Sequence, residues 1–335
     1  MKKKFLMLAL VVFTLLFVGC GGKSEKSGTK ENYTVYLGCD SPEDTVTYIL
    51  LDKFASLMEE KSNGRISAKK FSNAKLGGDV EMIEGLQNGK LTFVVQTTAP
   101  QVNFVPEVGI FDIAMLFPNI EVARTVLDGP LLEEIKKYYE QQDIRLYGYA
   151  DQGFREMSSN IKINEFNDLK GVKIRTMSNP NHIAFWQSVG ANPTPMNFGE
   201  LYIGLQQGVV DAQENPLETI IAAKLHEQQK YMVMTNHVIH ALSLIGSSKI
   251  IDTYPEEIQN IIEDAAKEAI VYARQKTDER TQSRIDILTE SGVEIIDFNQ
   301  NLYDDMKKAS EGVNNLIRRK LPKDLIGKLD AAMTN

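Results

Sequence analysis

Two arginines near the middle of the chain carry the clearest chemical signal. Arg155 follows Gly153 and Phe154, and Arg175 closes a short predicted strand over 172–174. A guanidinium at the end of a strand can hold a carboxylate through two parallel charge-assisted hydrogen bonds. Ligands of open α/β sheets bind beyond the carboxyl ends of the strands. The pattern therefore predicts an anion-binding site, and a structural salt bridge with one of the 45 acidic residues is the alternative for either arginine.

Acidic and polar side chains near the ends of other predicted elements belong to the same candidate site. Asp40 and Thr97 follow two strands, Asp79 opens a helix on that side of the sheet, and Glu214 lies in a predicted loop. Capping and turn formation are the structural alternatives, and for Asp79 we expect capping to be the main role. One of the three carboxylates could instead serve an exported hydrolase or lyase as a general base. The sequence pairs none of them with a nucleophile or a metal site, which favours binding over catalysis.

The usual catalytic and metal-binding signatures do not occur in this sequence. There is no Gly-x-Ser-x-Gly elbow, no phosphate-binding glycine loop, no Cys-x-x-Cys pair and no His-Glu-x-x-His helix. His237 and His240 are three residues apart, but in a strand this spacing directs two side chains to opposite faces. Trp186 lies on a predicted helix and is expected in the core. We expect no enzymatic activity, no cofactor and no metal ion.

The first half of the chain predicts a parallel sheet. Strands over 33–39, 65–71 and 91–96 alternate with two helices, the first opened by 41–44 and ended by Gly64, the second over 79–88. A β-α-β-α-β order with right-handed crossovers makes these strands parallel. Their carboxyl ends then lie at one edge, together with Asp40 and Thr97.

The stretch 190–216 predicts a strand, a turn and a helix. Asn197 is a predicted N-cap with Glu200 three residues later, as in a capping box, and the helix stops at Gly208. We predict a short buried strand over 209–212 and a loop over 213–216. If this strand runs parallel to 172–174, the loop lies on the same side as Arg175.

A long helix dominates the last third of the chain. No glycine or proline interrupts 256–291, which predicts a helix of roughly 54 Å. Its apolar stripe weakens after Ala273, so a brace across two lobes fits better than a coiled coil. Two separate strands, over 231–235 and 239–245, are expected before it.

Three segments of the chain resemble the DctP-type substrate-binding proteins of TRAP (tripartite ATP-independent periplasmic) transporters. They read DLKGVKIR at 168–175, GANPTPMNFGELYIGLQQGVVDAQENP at 190–216 and TNH at 235–237. By this resemblance Arg175 matches the family's carboxylate-clamping arginine, and Arg155 matches a second arginine that supports it. Asn215 matches a ligand-contacting asparagine, and Phe198 matches the aromatic wall under the ligand.

The resemblance implies a two-lobed α/β fold like that of periplasmic binding proteins, each lobe a mixed sheet flanked by helices, with a long helix bridging the lobes. It also implies a monomeric receptor that delivers a small organic acid to small and large integral membrane subunits. The family default is a C4-dicarboxylate, and sialic acid or another sugar or keto acid is the alternative. Sialic-acid-specific members carry an asparagine and a glutamate where this chain has Asp40 and Thr97. Asp40 would repel a second carboxylate and suits a hydroxylated or amino-bearing acid better.

The N-terminus predicts export and lipid anchoring. Residues 1–19 combine three lysines with a short apolar run, as in a signal peptide, and Cys20 follows a lipobox-like sequence. Residues 20–32 read as a flexible tether. Removing residues 1–19 takes away three lysines and no acidic residue, which moves the net charge from −8 to −11. An acidic body without a basic patch argues against nucleic acid as a partner, so we predict a periplasmic or extracytoplasmic, lipid-anchored protein.

The chain after the tether is long enough for two lobes. Its roughly 300 residues exceed what one hydrophobic core normally takes. We predict lobe I over 33–152 with 241–280, and lobe II over 153–240 with 281–335. Only Cys20 and Cys39 occur, so no disulfide framework is expected.

Overall fold

One mixed sheet connects both halves of the computed structural model, which describes residues 31–334. The predicted signal peptide, Cys20 and nearly all of the predicted tether lie outside the described residues. The strands, in chain order, are β1 (Tyr33–Gly38), β2 (Ile66–Phe71), β3 (Phe93–Thr97), β4 (Ile144–Ser159), β5 (Lys173–Thr176), β6 (Asn192–Pro195), β7 (Ala212–Asn215), β8 (Tyr231–Ser247) and β9 (Glu294–Ile296).

Helices flank the sheet. They are α1 (Val46–Lys61), α2 (Asp79–Gln87), α3 (Ile120–Asp128), α4 (Pro130–Glu140), α5 (Pro180–Ser188), α6 (Phe198–Gln206), α7 (Leu217–Ala222), α8 (Ser248–Ile251), α9 (Glu256–Glu290), α10 (Gln300–Lys320) and α11 (Lys323–Met333). Thr45, Asn119, Asn179 and Asn299 start four of them by accepting hydrogen bonds from the first free backbone amides. Within 31–334, none of these helices is both long and apolar enough to cross a bilayer.

The sheet consists of two parallel groups joined by a long antiparallel ribbon. The strand order is β2-β1-β3-β8-β4-β7-β5-β6, and β9 pairs with β8. Strands β1, β2 and β3 are parallel to one another, as are β5, β6 and β7. The ribbon is the antiparallel pair β4–β8. The parallel sheet predicted for the first half of the chain is therefore confirmed.

The register of the ribbon directs the carboxyl ends of both groups toward its middle. Along β8, β3 runs from Gly246 to Leu242. Along β4, β7 runs from Ser159 to Glu156. The carboxyl ends of the two strand groups therefore approach the centre of the ribbon from opposite directions. Side chains that follow these strands meet there, although they are far apart in sequence.

Irregular pairing interrupts the ribbon at its centre. The β4–β8 register shifts between Asp151 and Phe154 and again between Arg155 and Met157. Gly153 and Asn236 in this region have positive φ angles of 73° and 45°. Bulges of this kind bend a strand and redirect its side chains, so the two halves of the ribbon are not one continuous regular sheet.

Apolar side chains form separate clusters around the two strand groups. One cluster packs β1 and β3 against α1 and the first half of α9, including Leu37, Phe54 and Ile262. Around the other group, Ile174 and Trp186 belong to one cluster. Trp186 is fully buried, as its helix predicts.

The long helix α9 connects the two groups. It has 35 residues, and Ile262 in its first half and Leu288 near its end are both fully buried, in different clusters. Its Arg284 forms ion pairs with Asp44, which precedes α1, and with Glu218 of α7. The bracing helix predicted from the sequence is confirmed.

Several predicted boundaries are wrong, and tertiary pairing explains the differences. The strands predicted over 231–235 and 239–245 form one strand, β8, which β4 pairs with on both sides of the irregular centre. The residues predicted as a loop after 209–212 form β7, since they pair with both β4 and β5. The first helix starts at Val46 rather than at 41–44. Asn197 occupies the N-cap position of α6, but its side chain makes no capping hydrogen bond, so the capping box is absent.

Candidate functional site

A cleft at the centre of the ribbon collects most of the predicted site residues. Its empty volume is about 360 Å³. The side chains that line it come from both strand groups and the helices beside them, and they are Asp40, Ser41, Thr47, Asp79, Thr97, Arg175, Met177, Phe198, Asn215, Thr219 and His240. Six of the eight ligand-binding residues predicted from the sequence lie here. Arg155 and Glu214 lie behind this wall, not on it.

Arg175 is a buried cation without an acidic partner. Its residue is only 2% exposed, and its Nε and Nη2 atoms both donate to the carbonyl oxygen of Met196, at 2.9 and 2.7 Å. The Nη1 atom is buried and has no hydrogen-bond partner. Among the described residues no carboxylate lies within 4.0 Å of this guanidinium, so the salt-bridge alternative does not apply to Arg175. Burial lowers its pKa to about 10, which leaves it charged at neutral pH.

Phe198 forms the wall next to this guanidinium. The Arg175 Cζ atom lies 5.9 Å from the ring centroid, within the range of a cation–π contact. Phe198 is the first residue of α6, and β6 leads into that helix. The ring thus limits the space beside the Arg175 guanidinium.

Two carboxyl groups face Arg175 across the cleft. Asp40 follows β1 and accepts a hydrogen bond of 2.8 Å from Ser41. Burial raises the pKa of Asp40, and burial together with the charge of Asp40 raises the pKa of Asp79 well above its ordinary value. The two carboxyl groups therefore disfavour each other's ionisation, as close carboxyl pairs do.

The capping role expected for Asp79 is wrong. The N-cap of α2 is Gly78, and no side chain caps this helix. Asp79 itself is the first helical residue, and its Oδ1 atom is buried without a hydrogen-bond partner. An unpartnered carboxyl oxygen in a cleft is available to a ligand hydroxyl or amine.

Arg155 and Glu214 form a fully buried ion pair behind the cleft. Arg155 contacts both carboxylate oxygens and the backbone oxygen of Glu214, and its Nη2 donates to Asn215 Oδ1 at 3.1 Å. Its Nη1 lies 2.6 Å from His240 Nδ1. All three nitrogens of the guanidinium are therefore engaged within the protein. Arg155 positions Asn215 and His240, which do line the cleft.

Three histidines surround this ion pair. Burial alone would lower the pKa of His182, but Asp112 and Glu214 raise it to about 9, so a second cation adjoins Glu214. His237 Nε2 lies 3.1 Å from Glu214 Oε2. Burial alone would raise the pKa of Glu214, whereas Arg155 and the two histidines hold it well below its ordinary value. An ionised carboxylate fixed in this way is a poor general base.

The expectation that His237 and His240 point to opposite faces is wrong. Both side chains contact the Arg155–Glu214 pair. His237 lies within the irregular part of β8, where the alternation of a regular strand does not hold. Among the described residues, no group of three or more histidine, cysteine or acidic side chains is arranged to hold a metal ion.

Sequence reasoning missed five residues of the cleft wall. These are Ser41, Thr47, Met177, Thr219 and His240. Thr47 and Thr219 lie in the first turns of α1 and α7, next to the strand ends, so the helix-start signals could have placed them. Nothing in the sequence distinguishes His240 from a core histidine.

The fold and the cleft define a two-lobed α/β binding protein, and comparisons with known proteins agree. The family model described as "Bacterial extracellular solute-binding protein, family 7" (DctP) matches residues 37–319. The 2,3-diketo-L-gulonate-binding periplasmic protein YiaO of Escherichia coli K12 is 30% identical over 319 residues, which are 95% of each chain. The chain therefore belongs to this DctP family of extracellular solute-binding proteins, and the resemblance to TRAP receptors is confirmed.

Solved structures of TRAP receptors share the architecture. The sugar acid binding protein DctPAm of Advenella mimigardefordensis, in complex with galactonate, matches with a TM-score of 0.88 at 29% identity, over 91% of this chain and 99% of that one. A TRAP solute-binding protein of Sulfurospirillum deleyianum with bound succinate matches with a TM-score of 0.85 at 29% identity, over 90% and 99% of the two chains. The predicted two-lobed fold is confirmed, and the family's function in solute transport disfavours the hydrolase or lyase alternative.

Proposed function

We propose that this protein is a TRAP transporter receptor for a hydroxylated monocarboxylic acid, of the aldonate or keto-aldonate type. The observation that carries the proposal is Arg175, a buried guanidinium without a carboxylate partner and with Nη1 unpaired. Leaving a buried cation uncompensated is costly, so the ligand carboxylate supplies the missing charge. Phe198 and Asn215 complete the contacts to this end of the ligand.

Asp40 and Asp79 favour hydroxyl groups at the other end of the ligand. A carboxyl pair with raised pKa values offers both donors and acceptors to hydroxyls. A second ligand carboxylate placed there would meet two acidic groups and no cation, so it would be disfavoured by like-charge repulsion. Relatives that bind galactonate and 2,3-diketo-L-gulonate fit this preference.

The dicarboxylate and sialic acid alternatives are less well supported. Succinate is bound by one similar structure, but a second carboxylate here would have to pair with Arg155, whose nitrogens are all engaged by Glu214, Asn215 and His240. For sialic acid, this chain has Asp40 and Thr97 where sialic-acid-specific members carry an asparagine and a glutamate. Both residues line the cleft.

In this proposal, lobes I and II close on the ligand. Lobe I comprises 33–152 with 241–280, and lobe II comprises 153–240 with 281–335. The boundaries are supported by the register shift between Asp151 and Phe154, which coincides with the change from one lobe to the other. A ligand that contacts both lobes binds the closed form better and shifts the equilibrium toward it.

The cellular setting follows from the family. We propose that the monomeric receptor works outside the cytoplasmic membrane, anchored through a lipid on Cys20, and delivers its ligand to the small and large integral subunits of a TRAP transporter. The exported position agrees with the extracellular solute-binding family. Metabolic labelling with a palmitate analogue, lost in Cys20→Ser, tests the anchor.

Titration calorimetry tests the ligand proposal. The protein is first unfolded and refolded, because this step removes any copurified ligand. We expect galactonate or a related aldonate to bind more tightly than succinate. Arg175→Ala should lose on the order of 3 kcal/mol or more of binding free energy, about a hundredfold in Kd. Arg175→Lys should recover little, because lysine cannot form the two parallel bonds.

Arg318→Ala serves as the matched control. Arg318 lies on α10 and pairs with Asp330 at the surface, so its removal should leave ligand affinity unchanged. Micromolar or tighter binding by Arg175→Ala would refute the clamping role. Tighter binding of succinate than of every sugar acid tested would refute the proposed ligand class without contradicting the carboxylate-binding role of Arg175.

A further inference from the structure

A second cavity lies beside the irregular centre of the ribbon and is separate from the ligand cleft. Its empty volume is about 1080 Å³. β4, β8, α7, α9 and the start of α3 form its walls. It shares no lining residue with the cleft. We call it the hinge cavity, and its lining includes Phe154, Glu156, Leu217, Met234 and Ile285.

Glu156 presents an unpartnered oxygen to the hinge cavity. The residue is 3% exposed. Its Oε2 atom accepts hydrogen bonds from the backbone amides of Thr235 and Asn236. The hydrogen bonds of this carboxyl group to the described residues all go to Oε2, and Glu156 lines the cavity. One oxygen is thus fixed by the protein, and the other is left for an occupant.

The other charged groups of the hinge cavity are neutralised or exposed. Glu218 pairs with Arg280 and Arg284. Asp278 pairs with Arg124 at 2.8 Å. Glu121 is exposed at the rim. Glu156 is therefore a buried carboxyl of this cavity without a cationic partner among the described residues.

We propose that the hinge cavity binds a small amphipathic amine whose ammonium group pairs with Glu156 and whose apolar body packs on Phe154, Leu217 and Met234. A charge-assisted hydrogen bond to a buried carboxyl group is strong and directional. An acid offers Glu156 no positive charge, so we expect the site to prefer the amine. Burial raises the pKa of Glu156 to about 8, and an ammonium partner would favour its ionised form.

Phenethylamine and 3-phenylpropionate are matched probes, because they share an aromatic body and differ in the charge of the head group. Binding to the mature protein is followed by protein NMR shifts and by calorimetry. We expect saturable binding of the amine and none of the acid. Glu156→Gln should weaken amine binding by about tenfold or more, while Glu121→Gln at the rim should change it less than about twofold.

Thr281→Phe provides a second variant that does not touch Glu156. Thr281 lies on α9 at the exposed edge of the hinge cavity, so a larger side chain should block entry without burying a new group. Both variants should keep wild-type affinity for the organic acid bound in the cleft, which shows that they are folded. Equal amine affinity in wild type and Glu156→Gln, equal binding of the acid probe, or no saturable amine binding by the wild type would each overturn the proposal.

Discussion

At the scale of single residues, the charged groups in and behind the cleft are of two kinds: those with a partner inside the protein and those without one. Arg155 and Glu214 satisfy each other and hold their neighbours in place. Arg175 has no acidic partner, and Asp79 has an unpartnered oxygen. Arg155 and Glu214 therefore support the walls of the cleft, and we expect a ligand to contact Arg175 and Asp79.

Removing one charge from the carboxyl pair should change ligand preference. Asp40→Asn and Asp79→Asn keep the shape of the side chain. We expect affinity for succinate to rise and affinity for galactonate to fall, each by about tenfold, which is about 1.4 kcal/mol. Calorimetry with both ligands measures the two changes. Asp52→Asn, on the surface of α1 and paired with Lys70, should alter neither, and an equal effect of all three substitutions would contradict the assignment.

Glu156 should make folding stability depend on pH. Its pKa is raised from an ordinary 4.5 to about 8 by burial. The folded state then binds this proton more tightly than the unfolded state, so the contribution is favourable at low pH and is lost as pH rises from about 4.5 toward 8. We expect the stability of Glu156→Gln relative to wild type to rise by about 4 kcal/mol between about pH 5 and pH 8, because each pH unit over which the two states differ in protonation contributes about 1.4 kcal/mol.

Urea unfolding at several pH values measures this difference. The other titrating groups of the hinge cavity are common to both proteins and cancel in the comparison. A constant difference between Glu156→Gln and wild type over this range would mean that this carboxyl ionises normally in the folded protein.

At the scale of elements, close packing around the β4–β8 ribbon leaves little space beside the paired strands. Gly246 of β8 lies opposite Phe93 of β3. An added Cβ there would stand 2.6 Å from Ile251 and 2.9 Å from the Phe93 ring. We expect Gly246→Ala to destabilise the protein by about 1–3 kcal/mol, measured by denaturant unfolding.

Gly312 in α10 is the matched control for this substitution. Nothing lies within 4 Å of an added Cβ there, and alanine is the better helix former. Gly312→Ala should therefore stabilise the protein by about 0.5–1 kcal/mol. Destabilisation of both variants to the same degree would mean that strand packing is not the cause at Gly246.

At the scale of the whole molecule, the two strand groups are joined by the ribbon and α9. The ribbon is irregular at its centre, whereas α9 is continuous over 35 residues. Bending is therefore expected at the centre of the ribbon, with α9 keeping both groups aligned. The cleft lies at the centre of the ribbon, so we expect closure of the two lobes to bury the ligand.

Closure should be visible in solution. Small-angle scattering should give a smaller radius of gyration with saturating ligand than without it. Arg175→Ala should keep the larger value at the same ligand concentration, because its ligand no longer stabilises the closed form. Arg318→Ala should contract like wild type. An unchanged radius in the wild type would show that the receptor is already closed without ligand.

The sequence by itself determined the parallel first strand group, the long helix and the role of Arg175 as a binding candidate. These follow from local signals: apolar periodicity, helix stops, and motifs at strand ends. It also placed Asp40 and Thr97 at the cleft, because parallel strands bring their carboxyl ends to one edge, and the family resemblance added Phe198.

Only the tertiary structure decided how these charges are shared. Arg155 and Arg175 look alike in sequence, yet Glu214 neutralises one and no described carboxylate reaches the other. β7 became a strand because β4 and β5 pair with it, and His237 turned toward Glu214 because it lies in a bulge. Each of these outcomes depends on partners distant in the chain, and local sequence carries no information about which distant groups will meet.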